Sequence, residues 1–327
     1  FIQGIIMLIG IVVVIFAVLK DNGGLMTVVK TLGDTAGKDF ITPFGPNPVF
    51  LFFVVMLTSL GTWGLPQMVG KFYSIKDQSA VKKGTIISTV FAVIVAGGCY
   101  FLGGFGKLYQ SQMLKAGYIS DKSVMFDKVI PTMLAELAPV IVAVVIVLVL
   151  SASMSTLSSL VLTSSSTLTL DVIKPVAEKK NRFNDKKSVL IMRLFIVFFI
   201  AVSAVIAILK DTIWKDSVFI AQMMGVSWGA LAGSFLAPFM YGLFWKKGTR
   251  AAVATCFIFG TGLEIIQLCL SMGWFTITNK VIGFVFTNSL YSGVFAMVGG
   301  LILFPIVSLL TQKSKPEKVD EKFECLK

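Results

Sequence analysis

Apolar residues along this chain come in long runs, such as IIMLIGIVVVIFAVL (5–19) and VIVAVVIVLVL (140–150), without the regular polar positions that mark half-buried strands or amphipathic helices. Stretches of roughly 20 mainly apolar residues, the length that crosses about 30 Å of hydrocarbon as a helix, are the unit to count. They fall at 2–19, 48–70, 84–106, 139–170, 187–209, 218–245, 251–272 and 289–311. The ten-residue alternation of a membrane β-barrel is missing from the pattern, so the spans are predicted to be helices, which satisfy their backbone groups internally. The chain is therefore expected to be an all-α integral membrane protein with eight transmembrane helices over residues 1–311, followed by a charged tail at 312–327.

Two connections are too long for turns. Residues 20–47 contain DNGG and PFGPNP, and residues 107–138 contain the amphipathic stretch FDKVIPTMLAEL. Each reads either as short surface or re-entrant helices or as an ordinary loop. The tail QKSKPEKVDEKFECLK is expected to be unstructured because it is charged and contains proline. The chain begins at Phe1 inside an apolar span, so it reads as the C-terminal part of a longer protein, with a cleaved signal peptide as the alternative.

Composition agrees with the membrane assignment: 56% of the 327 residues are hydrophobic, 14% are charged, and the mean hydropathy is +0.87. Charge then orients the spans. The loops after spans two, four, six and eight hold nineteen of the 29 Lys and Arg residues, which predicts that they and both termini face the cytoplasm of a cell membrane. The net charge of +12 follows from that asymmetry and from contact with anionic lipid, so nucleic acid is not an expected partner. Cys99, Cys256, Cys269 and Cys325 have no paired spacing and read as small core residues. With no histidine in the chain, the commonest acid/base and metal-binding side chain is missing.

Three segments hold chemistry that lipid does not explain. Residues 151–171, SASMSTLSSLVLTSSSTLTLD, place twelve hydroxyls in twenty-one positions after a wholly apolar run. At helical spacing Ala152, Ser155, Thr156, Ser159, Thr163 and Ser166 share one broad face. Hydroxyl and carbonyl oxygens without thiol or imidazole suit a hard cation, and neutral oxygens suit a monovalent ion, Na⁺, that must also leave. The alternative is that small hydroxyl residues let helices approach closely. In SLGTWGLPQMVGKF (59–72), Gly61, Gly64, Pro66 and Gly70 predict a broken helix. Breaks at mid-membrane expose backbone groups where secondary transporters bind substrate, and Thr58, Thr62, Trp63 and Gln67 would surround this one. The alternative is a kink tolerated for packing. Glu264, the one acid well inside a span, sits three residues before Gln267 and reads as a structural carboxyl of a peripheral helix.

These residues also carry a resemblance. APVIVAVVIVLVLSASMSTLSSLVLTSSSTLTLDVIK, GLPQMVGKFYSIKD and GALAGSFLAPFMYGLFWKKGTRAAVA, in that helix context, resemble segments of the sodium/solute symporter family over residues 2 to about 311. The resemblance implies a LeuT-like inverted-repeat fold, with the second five-helix repeat and the last core helix in spans one to six, spans seven and eight peripheral, and the first repeat outside this chain. It also implies a shared sodium site at Ala152, Ser155 and Thr156, and in some members a second at Ser158 and Ser159. The family-like function would be sodium-driven symport of a small organic solute of the amino acid, carboxylate or sugar type by alternating access, with no enzymatic step. Solute contacts would come from Thr58, Gly61, Thr62, Trp63 and Gln67. Proline carriers place Trp and Tyr where this chain has Thr58 and Thr62, which argues against proline. An ion channel or a non-transporting membrane sensor is the alternative.

Overall fold

A computed structural model describes residues 2–68, 75–120, 123–178, 184–212, 220–316 and 319–324. The expected span ends at 69–70 and 218–219, together with Gly70 and Cys325, lie outside the described residues. Fourteen α-helices among those residues carry labels in chain order. The first eight are α1 (Ile2–Asp21), α2 (Leu25–Ala36), α3 (Pro48–Leu60), α4 (Gln78–Gly104), α5 (Gln110–Lys115), α6 (Val129–Ala135), α7 (Pro139–Ser166) and α8 (Lys174–Glu178). They are followed by α9 (Asp185–Thr212), α10 (Ile220–Phe244), α11 (Arg250–Ser271), α12 (Lys280–Val285), α13 (Ser289–Leu310) and α14 (Val319–Glu324). Among the described residues the only β structure is a two-residue antiparallel pair, Ile119–Ser120 with Ser123–Val124.

Seven helical stretches are long and apolar enough to cross a membrane, and the helical segment Pro48–Gly64 is apolar but shorter. Where eight full spans were expected, the second is thus cut short inside its apolar run. The two long connections contain short helices: α2 and a 3-10 turn at Lys38–Ile41 in the first, α5 and α6 in the second. In α2 the apolar residues Val28 and Leu32 are one turn apart and bury themselves against Phe105. Gly24, at φ 92°, lets the chain reverse just before this helix, a conformation that costs glycine no Cβ clash. The tail also departs from expectation, because Val319–Glu324 is helical.

The chain forms two compact units, residues 1–41 with 77–215, and residues 42–76 with 216–327. In the first, α1 packs against α4 and α7, and α7 packs against α9. Its core includes Val14, Val18, Leu102, Met133 and Leu137. The second unit is built by close backbone approach. Gly225, Gly229 and Gly233 repeat every fourth residue along α10, and added Cβ atoms there would lie 3.1 Å from the Ser289 carbonyl carbon, 2.6 Å from Gly293 Cα and 3.1 Å from the Ala296 carbonyl carbon. Between lipid-soluble helices apolar burial gives no drive to associate, so such small-residue contacts supply the packing. α3 joins this unit through Leu57 and through Phe53, whose ring stacks on Tyr291 at 4.1 Å. Helices α11 and α13 both pack on α10: Gly260 meets the backbone of Gly233, and Gly300 meets the Gly233 carbonyl.

Candidate functional site

The helix break lies where the glycines and the proline predicted it. After α3 the chain tightens into a 3-10 turn, Gly61–Gly64, extends at Leu65 (φ −79°, ψ 118°), and turns helical again at Pro66–Met68. Proline explains the step, because its ring clashes with an α-helical residue before it and its nitrogen has no proton for the ladder. Thr58 Oγ1 donates to the Val54 carbonyl at 2.8 Å, and Thr62 Oγ1 donates to the Ser59 carbonyl at 2.9 Å. Both hydroxyls keep lone pairs for another partner. Trp63 is 65% exposed, Gln67 is half-buried, and Gly61 is buried against Ala232 of α10.

Packing at this break involves a residue that the sequence reading counted only as a helix breaker. A Cβ at Gly64 would lie 2.9 Å from the Leu236 amide nitrogen, so glycine there lets the broken segment rest on the backbone of α10. Leu65, 1% exposed, fixes the other side of the step. The break is therefore a firmly seated turn, with Trp63 exposed beside it.

The hydroxyl-rich segment is a continuous helix. α7 runs into a π-helical turn, Thr167–Ile173, and then α8, together a stretch Pro139–Glu178. At 1.5 Å per residue its 40 residues span about 60 Å, about twice the apolar slab. Val161, Ser165 and Thr169, one turn apart, are buried. The opposite side carries Ala152, Ser155, Thr156, Ser159 and Thr163, and of these only Ala152 is partly buried. Thr156 Oγ1 donates to the Ala152 carbonyl at 3.0 Å, and Thr163 Oγ1 donates to the Ser159 carbonyl at 2.8 Å. Ser158 is brought elsewhere. Its hydroxyl turns to the Met154 carbonyl at 2.7 Å, about 100° round the helix from Ser159.

The geometry thus joins Ala152 and Thr156 into one pair of oxygens, while Ser155 and Ser158 each sit one residue, about 100°, round the helix from Thr156 and Ser159. The π-helical turn was not foreseen; such turns recur at functional sites, and here it buries Thr169. An apolar cavity of about 360 Å³ lies between α1, α4, α6 and α7 and ends at Ala152 and Ser153, but its walls are side chains such as Val14, Leu102 and Met133, unsuited to an ion. Glu264 is 1% exposed on the same face of α11 as Cys256, Gly260 and Gln267. Its Oε1 lies in the notch over Gly229, where an added Cβ would be 2.5 Å away, and neither of its buried carboxyl oxygens has a hydrogen-bond partner among the described residues.

Long apolar helices, one of them broken and another lined by hydroxyls, define a multi-pass α-helical membrane protein. The chain belongs to the sodium:solute symporter family, which matches residues 1–260. It is 28% identical to the sodium/pantothenate symporter of Escherichia coli over 83% of this chain and 53% of that protein. It is 25% identical to the sodium/pantothenate symporter of Haemophilus influenzae over 87% of this chain and 56% of that protein. A sodium/proline symporter of Staphylococcus aureus is 27% identical over 96% of this chain and 58% of its own length. The chain spans a little over half the length of these relatives.

Proposed function

We propose that this chain carries part of a sodium-coupled symporter for a small organic solute, working by alternating access in a LeuT-like fold. Membership of the sodium:solute symporter family is the observation that carries the reading. Na⁺ is the coupling ion, and the Ala152 carbonyl with the Ser155 and Thr156 hydroxyls forms its shared site. The pairing of Thr156 Oγ1 with the Ala152 carbonyl at 3.0 Å supports this, since two oxygens at that separation can touch one ion together. Ser159, with Ser158, is the candidate for a second ion. Neutral oxygens hold a monovalent cation weakly enough to release it, which a carrier requires. Each charge that crosses about 100 mV adds about 2.3 kcal/mol to the sodium gradient, and this drives solute accumulation.

Solute is held at the break, by Thr58, Gly61, Thr62, Trp63 and Gln67. The exposed indole of Trp63 offers an apolar surface, the two threonine hydroxyls and the Gln67 amide offer polar partners, and no covalent step is required. The names of the relatives make pantothenate and proline the first compounds to try. By the resemblance, Thr58 and Thr62 argue against proline. Residues 1–311 form the transporter domain, with both termini cytoplasmic.

Uptake into proteoliposomes tests the reading. The protein is offered labelled pantothenate, proline, sugars and carboxylates under an inward Na⁺ gradient, and again with K⁺ in place of Na⁺. Sodium-dependent accumulation of one solute is expected. Sodium flux that persists without any solute moving would replace the symporter with a channel, and sodium binding without any flux would replace it with a sensor.

A further inference from the structure

The loop between α10 and α11 reads WKKGT, and with Arg250 it places three cationic side chains within five positions. Charges so close repel one another, and an anion among them relieves that repulsion. Among the described side chains the one ion pair joins Lys174 to Glu178. Lys246 and Arg250 line a cavity of about 400 Å³, within the size range of small-molecule sites.

The cavity has a built floor and roof. Phe304, 2% exposed, stacks on Tyr241 with ring centroids 5.2 Å apart and planes 1° from parallel, and Trp245 lies 6.4 Å from Phe304. The loop is tied to the end of α13: Thr249 and Thr311 share a hydroxyl hydrogen bond of 2.9 Å, and Gln312 Nε2 donates to the Lys247 carbonyl at 3.1 Å. Overhead, Val319 and Phe323 of α14 line the cavity, with the Lys246 ammonium 5.7 Å from the Phe323 ring centroid. The site lies wholly within one unit, where α10 and α13 end and α11 begins, and so at one surface of the membrane.

We propose that this cavity binds the phosphate group of an anionic phospholipid, with phosphate oxygens between Lys246 and Arg250 and the glycerol and upper acyl carbons against Trp245 and Phe323. A guanidinium grips phosphate through two parallel donors and an ammonium adds a mobile point charge. A free phosphate would use the cations alone. The aromatic floor suits an amphiphile, and basic pockets between helices at a membrane surface suit lipid headgroups. The site is independent of the sodium and solute assignments.

The test is native mass spectrometry of the detergent-purified protein titrated with phosphatidylglycerol, phosphatidylcholine or inorganic phosphate. Phosphatidylglycerol is expected to bind more tightly than phosphatidylcholine. Lys246→Ala/Arg250→Ala should weaken phosphatidylglycerol about thirtyfold, the effect of two basic side chains at a charged membrane surface. Lys246→Arg/Arg250→Lys, which keeps both charges, should retain it, and so should Lys82→Ala/Lys83→Ala, which removes two exposed lysines at the start of α4. Size-exclusion profiles confirm that each variant is folded. Equal weakening in the Lys82/Lys83 variant, or none in the Lys246/Arg250 variant, would overturn the site. Full displacement of phosphatidylglycerol by inorganic phosphate would overturn the lipid assignment in favour of free phosphate.

Discussion

Gly64 and Gly61 sit three residues apart in the broken helix, and alanine at each should act in opposite directions. Neither has a left-handed φ, so alanine is conformationally acceptable at both and should gain about 0.4–1 kcal/mol by restricting the unfolded chain. The difference lies in what the new methyl meets. At Gly61 it would stand 3.3 Å from Leu57 Cδ1, the tip of a side chain, and 3.5 Å from Ala232 Cβ, so a small shift of Leu57 accommodates it. At Gly64 it would stand 2.9 Å from the amide nitrogen and the Cβ of Leu236, where only movement of a whole segment gives relief. Overpacking of this kind costs about 1–3 kcal/mol. Set against the gain, Gly64→Ala loses roughly 0–2.5 kcal/mol while Gly61→Ala is neutral or stabilising. At about 2–4 °C per kcal/mol for a domain of comparable size, the two midpoints should separate by several degrees. Thermal unfolding of the purified protein, followed by reaction of the buried Cys256 with a thiol-specific dye, measures this. Because the displaced segment carries Trp63 and Gln67, solute half-saturation should also rise in Gly64→Ala. Equal midpoints, or a more stable Gly64→Ala, would show that the break does not rest on α10 as described.

Thr156→Ala should raise the sodium concentration for half-maximal uptake roughly tenfold to a hundredfold, the range for losing one hydrogen-bond-strength contact to an ion, while Thr156→Ser, which keeps the hydroxyl, stays near wild type. Unchanged sodium dependence in Thr156→Ala would remove this residue from the ion site. Ser159→Ala should perturb sodium activation more than Ser158→Ala, because Ser158 turns to the Met154 side of the helix; the reverse order in sodium-titrated uptake would count against the line through Ala152 and Thr156. Glu264→Gln should leave uptake and thermal midpoint close to wild type, since glutamine fills the same notch over Gly229. Abolished uptake at an unchanged midpoint would make Glu264 a working carboxylate.

Much of the architecture was legible because the membrane imposes a simple rule on sequence. Runs such as 5–19 and 140–150 are apolar all round, and seven long apolar stretches appear as helices. The break was legible from the cluster of Gly61, Gly64 and Pro66: proline disfavours a helical residue at 65, although proline alone does not decide it, since Pro238 and Pro305 sit inside helices. Tertiary packing was less so. Gly225, Gly229 and Gly233 form a small-residue stripe in plain view, yet nothing local says which helix will lie on it, and their partners Ser289, Gly293 and Ala296 are about 60 residues away. The charged tail misled because composition ignores single anchors. Phe323 has Lys246 and an aromatic floor to meet, and six residues around it become a helix.

The hydroxyl-rich helix remains the hardest part to read, because the same side chain serves two purposes. A threonine that donates to the carbonyl one turn back satisfies itself within the helix, and this lets a polar residue survive in an apolar setting. Thr58, Thr156 and Thr163 all do so. That bond uses only the hydroxyl proton, so the oxygen keeps its lone pairs and the carbonyl keeps room for a further partner. Such a pair needs no ion to be stable, yet presents two oxygens when one arrives. A carrier's ion site has to be tolerable both empty and filled, and hydroxyl–carbonyl pairs along one side of a helix meet that requirement without a buried charge. A carboxylate would bind the ion more firmly, but once empty it would be left as an uncompensated anion in the bilayer.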